Sequence, residues 1–241
     1  MIAASTRFAL LLGAAVWLGA PAALADAALT PHSAEYKVKI SVLSGRLNTR
    51  LAVTDEGYEA TYHVEPKGLA AVFTSGEIRT VSAFTETERG LLPIHHVTAD
   101  SISKKKIQAD LDFDWATDTV TGTLNGKAVE IPLDGVVHDF VTLQYVIGRD
   151  LQNGGVRDTY IMFEPDELKV LNVTSVGDDV VKVPAGRFEV IGIRHQGEGS
   201  SRSTTFWFAR ELGYLPVVIE RHRKGKLQMR AELREYRPEA G

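Results

Sequence analysis

Apolar and polar residues alternate with a period of two along much of this chain, most regularly in the segment KIQADLDFDW. Ile107, Ala109, Leu111, Phe113 and Trp115 fall on one side of an extended backbone, and the polar side chains between them fall on the other. This pattern is typical of a strand with one buried face and one solvated face. The chain is therefore expected to build antiparallel sheets with a single apolar face.

The same alternation recurs on both sides of this segment, and a less regular stretch from Pro66 to Ser75 interrupts it. Asn125-Gly126 tolerates the positive φ angles of a two-residue type I′ turn and predicts a hairpin, and Lys224-Gly225 marks another turn. The further predicted strands span residues 34–42, 47–53, 58–64, 158–164, 168–176, 187–196, 203–209, 215–222 and 226–236.

One segment, HDFVTLQYVIGRDLQNGG, departs from the period of two. Its apolar residues recur at steps of three and four, and Asp139 is suited to cap a helix that runs to Gln152. The sequence thus predicts a mainly β protein: a large antiparallel curled sheet or open β-barrel with one central helix. The helix is expected to pack on the concave side or to plug one end, within a single domain of residues 26–241.

The first 25 residues have the features of a cleaved signal peptide. Arg7 precedes an apolar run from Phe8 to Leu18, and Ala23-Leu24-Ala25 gives a small-x-small cleavage pattern with cutting after Ala25. The run is shorter than the roughly 20 residues of a membrane span, although an N-terminal anchor is the alternative. The protein has no cysteine, which excludes both disulfides and a lipid-anchoring lipobox. We expect a periplasmic or secreted protein.

Charge narrows the classes of partner. The chain carries 27 basic and 31 acidic residues, a formal net charge of −4. This balance argues against nucleic acid and anionic membrane surfaces as primary partners, because both require a concentrated positive field. Two local basic runs remain, Lys104–Lys106 and RHRKGK near the C-terminus. Each is interpreted as a solvated strand connection, with a docking patch for an acidic partner as the alternative.

Residues with catalytic or metal-binding chemistry are few and poorly spaced. His95 and His96 are adjacent on a predicted strand and point to opposite faces, so they cannot easily bind one ion together. His138-Asp139 resembles part of a Ser-His-Asp arrangement, but no GxSxG elbow supplies the nucleophile, and Asp139 is explained as a helix cap. No nucleotide-binding glycine motif is present. The sequence therefore predicts no catalytic residues, no metal, no cofactor and no enzyme activity.

The segment TTFWFARELGYLP has the densest aromatic cluster in the chain. Phe206 and Phe208 share one face of a predicted strand and Trp207 the other, so both faces of that strand are expected to be covered. One cover is the core; the other is a helix, a loop or a bound ligand. If the cluster forms a ligand-binding wall, the candidate ligand-binding residues are Phe206, Trp207, Phe208, Tyr214 and Tyr145.

Four segments resemble the exported bacterial domain-of-unknown-function family 3108. They are VPAGRFEVIGI (183–193), TTFWFARELGYLPVVIE (204–220), the helix segment HDFVTLQYVIGRDLQNG, and KKKIQADLDFDW. The resemblance implies a secreted or periplasmic β-rich domain. The family has no established activity and no agreed catalytic residues, so the resemblance assigns no role to any residue of this chain.

These observations favour a non-enzymatic, monomeric periplasmic protein that binds a hydrophobic or amphiphilic ligand, such as a lipid or an envelope precursor. A large curled sheet with one helix has limited means of filling its concave side, and partly open barrels often enclose ligands. The alternative is an envelope assembly protein that binds a protein partner by strand addition or through the Lys104–Lys106 tip.

Overall fold

The computed structural model describes residues 29–73, 76–104, 106–164 and 167–239. The predicted signal peptide and Lys105 of the lysine run lie outside these ranges. Within them, fifteen strands form one continuous sheet, accompanied by two α-helices and a short 3₁₀ turn. Neither of these α-helices is long and apolar enough to cross a membrane.

The elements follow one another with short connections. In chain order they are β1 His32–Ile40, β2 Leu43–Thr54, β3 Gly57–Lys67, α1 Leu69–Phe73, β4 Ile78–Thr87, β5 Gly90–Asp100, β6 Ile107–Asp114, β7 Thr119–Leu124, β8 Lys127–Pro132, β9 Val137–Asp139, α2 Phe140–Gln152, β10 Thr159–Glu164, β11 Glu167–Val183, β12 Gly186–Gly197, β13 Arg202–Ala209, the 3₁₀ turn Arg210–Leu212, β14 Leu215–Arg223 and β15 Lys226–Pro238.

The sheet joins two meanders through the ends of the chain. Its order is β8-β7-β6-β5-β4-β3-β2-β1-β15-β14-β13-β12-β11-β10-β9, so the first and last strands pair at its centre. All pairs are antiparallel except β9 with β10, which α2 connects as a parallel crossover. The predicted fold class, a large curled antiparallel sheet with one central helix, is confirmed.

Local sequence signals explain several of these elements. Asn125 and Gly126 have φ angles of 51° and 76°, and Lys224 and Gly225 have 50° and 72°, which are the positive values that two-residue hairpin turns require. The predicted helix is also present, with Asp139 as its N-cap. The irregular stretch after Pro66 contains the five-residue helix α1, which the sequence did not predict.

The sheet curls so far that its two ends overlap. The main core lies between α2 and the concave face, and includes Phe84, Ile147 and Phe208. A second core forms where the apolar face of β6 and β7 packs against β9 and the opposite face of β10, and it includes Leu111 and the ring pair Phe113 and Phe163, whose centroids are 5.4 Å apart. The rolled end of the sheet therefore shields β10 from water on the side that α2 does not cover.

A long hairpin formed by β11 and β12 bends over the outside of the sheet. The sequence pattern predicted that the first of these strands ends at Val176, whereas β11 continues to Val183 after a bulge between Ser175 and Gly177. The hairpin tip reaches β15, where the Ala185 amide donates to the carbonyl of Leu233. The bend explains the difference, because the extended tip alternates less regularly in sequence than a strand that faces one core.

Candidate functional site

Helix α2 fills one end of the curled sheet, here called the closed end. The Gln152 side-chain amide donates to the carbonyl of Gly213 at 3.1 Å, which ties the C-terminus of α2 to the turn before β14. Arg149 pairs with Glu86 of β4, with Nη1 and Oε1 2.5 Å apart. Because α2 presses against strands from both meanders, the concave side is packed solid at this end.

The N-terminus of α2 is fixed by a buried polar group, the Asp139 cluster, which consists of Ser82, His96, Asp139 and Thr142. The Asp139 carboxylate accepts hydrogen bonds from the Val141 amide at 2.8 Å, the Thr142 amide at 3.1 Å, the Thr142 hydroxyl at 2.7 Å and the Ser82 hydroxyl at 2.6 Å. Asp139 therefore caps α2 and also binds it to β4. No member of the cluster is more than 2% exposed.

The cluster resembles a catalytic triad in composition but not in geometry. The Ser82 hydroxyl donates to the carboxylate rather than to an imidazole, and His96 Nδ1 lies 3.5 Å from Asp139 Oδ1 without forming a hydrogen bond. Burial alone would raise the pKa of Asp139. The nearby His96 and the hydrogen bonds from Ser82 and Thr142 outweigh burial and hold that pKa well below its usual value. A carboxylate this stabilised serves as an anchor and is a poor proton acceptor.

His138 precedes the cluster and is 1% exposed. Its ring nitrogens make no well-aligned hydrogen bond within the described residues. Burial, followed by the charge of Arg157, lowers the pKa of His138 to about 4. A charged imidazole is therefore disfavoured at this position.

This pKa implies that acid destabilises the protein. Below its unfolded pKa of about 6.5, His138 binds a proton only in the unfolded chain, so stability falls as the pH decreases towards about 4. We expect His138 to remove about 2 kcal/mol of folding free energy between pH 7 and pH 5. Urea unfolding of wild type and His138→Leu at both pH values measures this contribution. An equal loss in both proteins contradicts it, whatever the stability of the variant at pH 7.

The opposite end of the concave side, here called the open end, is not filled by α2. Strand registers place five inner-face residues there at one level: Ile40, Met229, Arg221, Thr204 and His195. Two residues deeper on the same strands lie Val38, Ala231, Ile219, Phe206 and Ile193, all buried. The upper level is partly or largely exposed, so the inner face changes from packed core to solvent-accessible surface between these two levels.

Exposed apolar residues concentrate around this opening. They lie in the β1–β2 connection, in α1 and at the start of β15, all of which meet at the open end. We call this group the apolar rim: Ile40 (51% exposed), Val42 (90%), Leu43 (38%), Leu69 (74%), Val72 (76%) and Leu227 (50%). Single exposed apolar residues are common, but a cluster at the mouth of a concave surface is typical of a binding site.

Arg221 projects from β14 into the same opening. The surrounding protein disfavours its charge and lowers the pKa of the guanidinium, an effect that the nearby Glu164 partly offsets. Burial, followed by the charge of Arg221, lowers the pKa of His195 to about 4, so its ring is neutral at pH 7. His195 stacks on Phe206, with ring centroids 5.6 Å apart. The charge of Arg202, two residues before Thr204 on β13, lowers the pKa of Arg221 further. The open end thus combines an apolar rim, an aromatic floor and more than one cation.

The five residues predicted as candidate ligand contacts lie in different parts of the structure. Phe206, Phe208 and Tyr145 lie in the main core, and Tyr214 packs against it near α2. Trp207 faces outward, where a Cβ on Gly192 would lie 2.7 Å from its ring and 2.3 Å from Val176. The second cover predicted for this strand is therefore the β11–β12 hairpin. Of the five, Phe206 lies at the floor of the open end, and the ligand role of the set stays a prediction.

Arg221 and the apolar rim were not among the residues predicted from the sequence. A signal for Arg221 was present, because Val217, Ile219 and Arg221 are in phase in VVIERHR and so share the inner face. That segment was interpreted as a solvated turn on the basis of its charge alone. The rim has no comparable signal, since its members are separated in sequence and only the strand registers bring them together.

A polar depression also lies on the outer face between β11 and β12. Asn172, Thr174, Arg194 and Gln196 line it, and Arg194 donates to the Thr205 hydroxyl at 3.3 Å. It has no apolar wall and is widely open, so it lacks the features of a ligand pocket. Within the described residues, no group of three or more His, Asp or Glu side chains is arranged to hold a metal ion.

A solved structure shares this architecture. A β-barrel-like protein of the domain-of-unknown-function family DUF1849 from Brucella abortus is similar over 88% of this chain and 99% of its own, with a TM-score of 0.58 and 12% identity. A protein with a YmcC-like fold from Bacteroides fragilis aligns over 87% of this chain and 97% of its own, with a TM-score of 0.36 and 11% identity.

At these identities the Brucella protein supports the fold alone. No curated protein matches the chain with significant similarity. A family model described as "Protein of unknown function (DUF3108)" matches residues 33–231, which is most of the chain. The resemblance inferred from four sequence segments is thereby confirmed, and the chain belongs to the DUF3108 family.

Proposed function

We propose that this protein is a non-enzymatic periplasmic binding protein for an apolar or amphiphilic ligand, and that the ligand binds at the open end of the curled sheet. The observation that carries the proposal is the apolar rim, which continues onto the exposed inner-face level of Ile40 and Met229. A ligand with an alkyl chain would remove this surface from water, at about 25 cal/mol for each Å² buried.

The depth of the core limits how such a ligand binds. Phe206 and Ile219 are each 8% exposed and close the concave side beneath the opening. A chain therefore lies across the open end, against Ile40, Leu43 and the neighbouring α1, instead of entering the space that α2 occupies. This geometry suits a single acyl chain or another narrow apolar group.

The absence of enzyme activity is part of the proposal. Catalysis by side chains requires a nucleophile or base in hydrogen-bonding reach of a substrate. The Asp139 cluster is the densest group of such chemistry among the described residues, and its four members are fully enclosed. At the open end, Arg221 and the neutral His195 supply no nucleophile.

Ligand binding is tested with protein purified from periplasm under native conditions and analysed by native mass spectrometry, followed by titration with a fluorescent fatty acid. We expect a bound amphiphile, and we expect Ile40→Ser combined with Leu43→Ser to weaken binding by about 2 kcal/mol, roughly thirtyfold. Both positions are exposed, so folding should be unaffected.

Val170→Ser combined with Val180→Ser provides the matched control, because both residues are exposed apolar strand residues of β11, each 45% exposed and outside the open end. This pair should bind the fluorescent fatty acid like the wild type. Ligand-free protein that takes up no probe, or equal weakening by both pairs of substitutions, would refute the proposed site.

The alternative function is partner binding by strand addition. Strand β8 supports it, since it pairs only with β7 among the described strands and so presents a free edge. Lys127, Glu130 and Pro132 lie on this edge, and such residues normally discourage pairing with another chain. A single stoichiometric envelope protein that is recovered with the wild type, and lost on Lys104→Glu combined with Lys106→Glu, would favour this alternative.

A further inference from the structure

Arg221 is a cation that lies at the open end, beside the apolar rim. Within the described residues no group accepts a hydrogen bond from its guanidinium or forms an ion pair with it. The negative charge of Glu164 raises the pKa of Arg221, but the Glu164 carboxylate is itself paired with the Lys169 ammonium. The same ammonium also contacts Glu167 at 2.7 Å. On the neighbouring strand β15, Arg230 is paired with Glu220 and Glu232.

Arg221 occupies a strand position at which an apolar residue is expected. Its register partners are Met229 on β15 and Thr204 on β13, and it follows the buried Val217 and Ile219 on the same face of β14. An apolar side chain at this position would extend the core and would carry no charge that has to be removed from water. A guanidinium presents five N–H donors in a planar fork that matches a carboxylate or a phosphate.

The surroundings of Arg221 are divided by chemistry. On one side lie Met229 and Ile40, which lead to the apolar rim. On the other lie the Thr204 hydroxyl, the neutral ring of His195 and Arg202, whose charge acts on Arg221. An anionic group held by Arg221 therefore has polar neighbours on one side, while a chain attached to it can extend over apolar surface on the other.

We propose that Arg221 binds the anionic group of the ligand, so that the protein selects anionic amphiphiles, carrying a carboxylate or a phosphate, over neutral ones. This inference rests on the proposed function and specifies its ligand class. The charged group lies at the level of Arg221, and the chain lies along Met229, Ile40 and Leu43. Fatty acids and alkyl phosphates share this chemistry.

The test compares two probes that differ only in charge: dansylaminoundecanoic acid and its methyl ester, titrated at neutral pH into the wild type. We expect the acid to bind about tenfold more tightly than the ester, because a charge-assisted bidentate hydrogen bond is gained. Arg221→Gln should abolish this preference and leave binding of the ester unchanged.

Two controls separate a specific contact from general attraction. Lys226→Gln removes a positive charge at the same end, and Arg187→Gln removes an exposed arginine from the β11–β12 hairpin. Both variants should retain the tenfold preference. A preference that falls equally in Lys226→Gln and Arg221→Gln would overturn the assignment to Arg221 in favour of a diffuse field.

Competition identifies the source of the anion. Dodecyl phosphate should displace the dansyl acid from the wild type, whereas dodecanol should do so about tenfold less effectively. Inorganic phosphate that displaces the probe as well as dodecyl phosphate does would show a free-anion site and overturn selection of an amphiphile. If acid and ester bind equally, the proposed function stands and this inference fails; if neither probe binds, both fail.

Discussion

Asp139→Ala should lower the free energy of unfolding by about 3–5 kcal/mol, among the largest effects that a single substitution in this chain can produce. The carboxylate accepts four hydrogen bonds, so its removal uncaps α2 and leaves the Ser82 and Thr142 hydroxyls buried without their acceptor. It also removes the contact between α2 and β4. Urea denaturation followed by circular dichroism measures the change.

Asp114→Ala provides the matched control, because Asp114 accepts hydrogen bonds from the Ala116 and Thr117 amides in a turn that is exposed to water. Its replacement should shift the urea midpoint little. Comparable shifts for the two variants would mean that the Asp139 cluster does not stabilise the fold more than an ordinary turn does.

The pH dependence of Asp139→Ala has a definite sign. The native pKa of Asp139 lies below its unfolded value of about 3.9, so its ionisation stabilises the protein above that value. The stabilisation decreases as the pH falls from there towards the native pKa. The difference in stability between the wild type and Asp139→Ala should accordingly be full at neutral pH and shrink only in strong acid.

Local patterns predicted the elements of this site, but not its contacts. The spacing of apolar residues and the capping residue placed α2 correctly, since both depend on residues within one turn. The hydrogen bond from Ser82 to Asp139 spans 57 residues of sequence and depends on how far the sheet curls. No local pattern encodes that curl, so the sequence could not reveal that Ser82 and His96 meet the helix cap.

The aromatic segment shows the same limit in a different form. Alternation predicted that both faces of the strand Phe206 to Phe208 are covered, and this is confirmed for the inner face by α2 and for the outer face by the β11–β12 hairpin. The alternation of apolar and polar residues does not identify what packs against each face of the strand, because an apolar face packs equally well against a hairpin and against a ligand. The outer face is covered by the hairpin because the bulge between Ser175 and Gly177 bends the hairpin over Trp207.

The residues of the proposed binding site do not show the burial that the alternation pattern predicts. The residues that the proposed site uses, Arg221 and Ile40, break the expectation that inner-face positions become buried. Such inconsistencies between local pattern and environment are expected at functional sites, where binding has a higher priority than stability.

Leu111→Asp tests the strand register on which the overlap of the sheet depends, and should destabilise the protein by about 4 kcal/mol or more. Leu111 is fully buried in the second core, where β6 packs on β9 and β10. The substitution deletes apolar contacts and places a carboxylate where no partner is available to it among the described residues of that core. The rolled edge of the sheet is then expected to separate from β10.

Asp110→Asn on the same strand is the control for this prediction. Asp110 lies on the opposite, solvated face, where its carboxylate contacts His95 Nε2 at 2.8 Å, an exposed pair of small energetic weight. The two substitutions are at adjacent positions in sequence, but Leu111 lies on the buried face of β6 and Asp110 on the solvated face. Melting temperatures that fall sharply for Leu111→Asp and hardly for Asp110→Asn would support the register. Equal melting temperatures would show that the register is wrong, and the reverse ranking would indicate a shift by one residue, because such a shift exchanges the two faces of a strand.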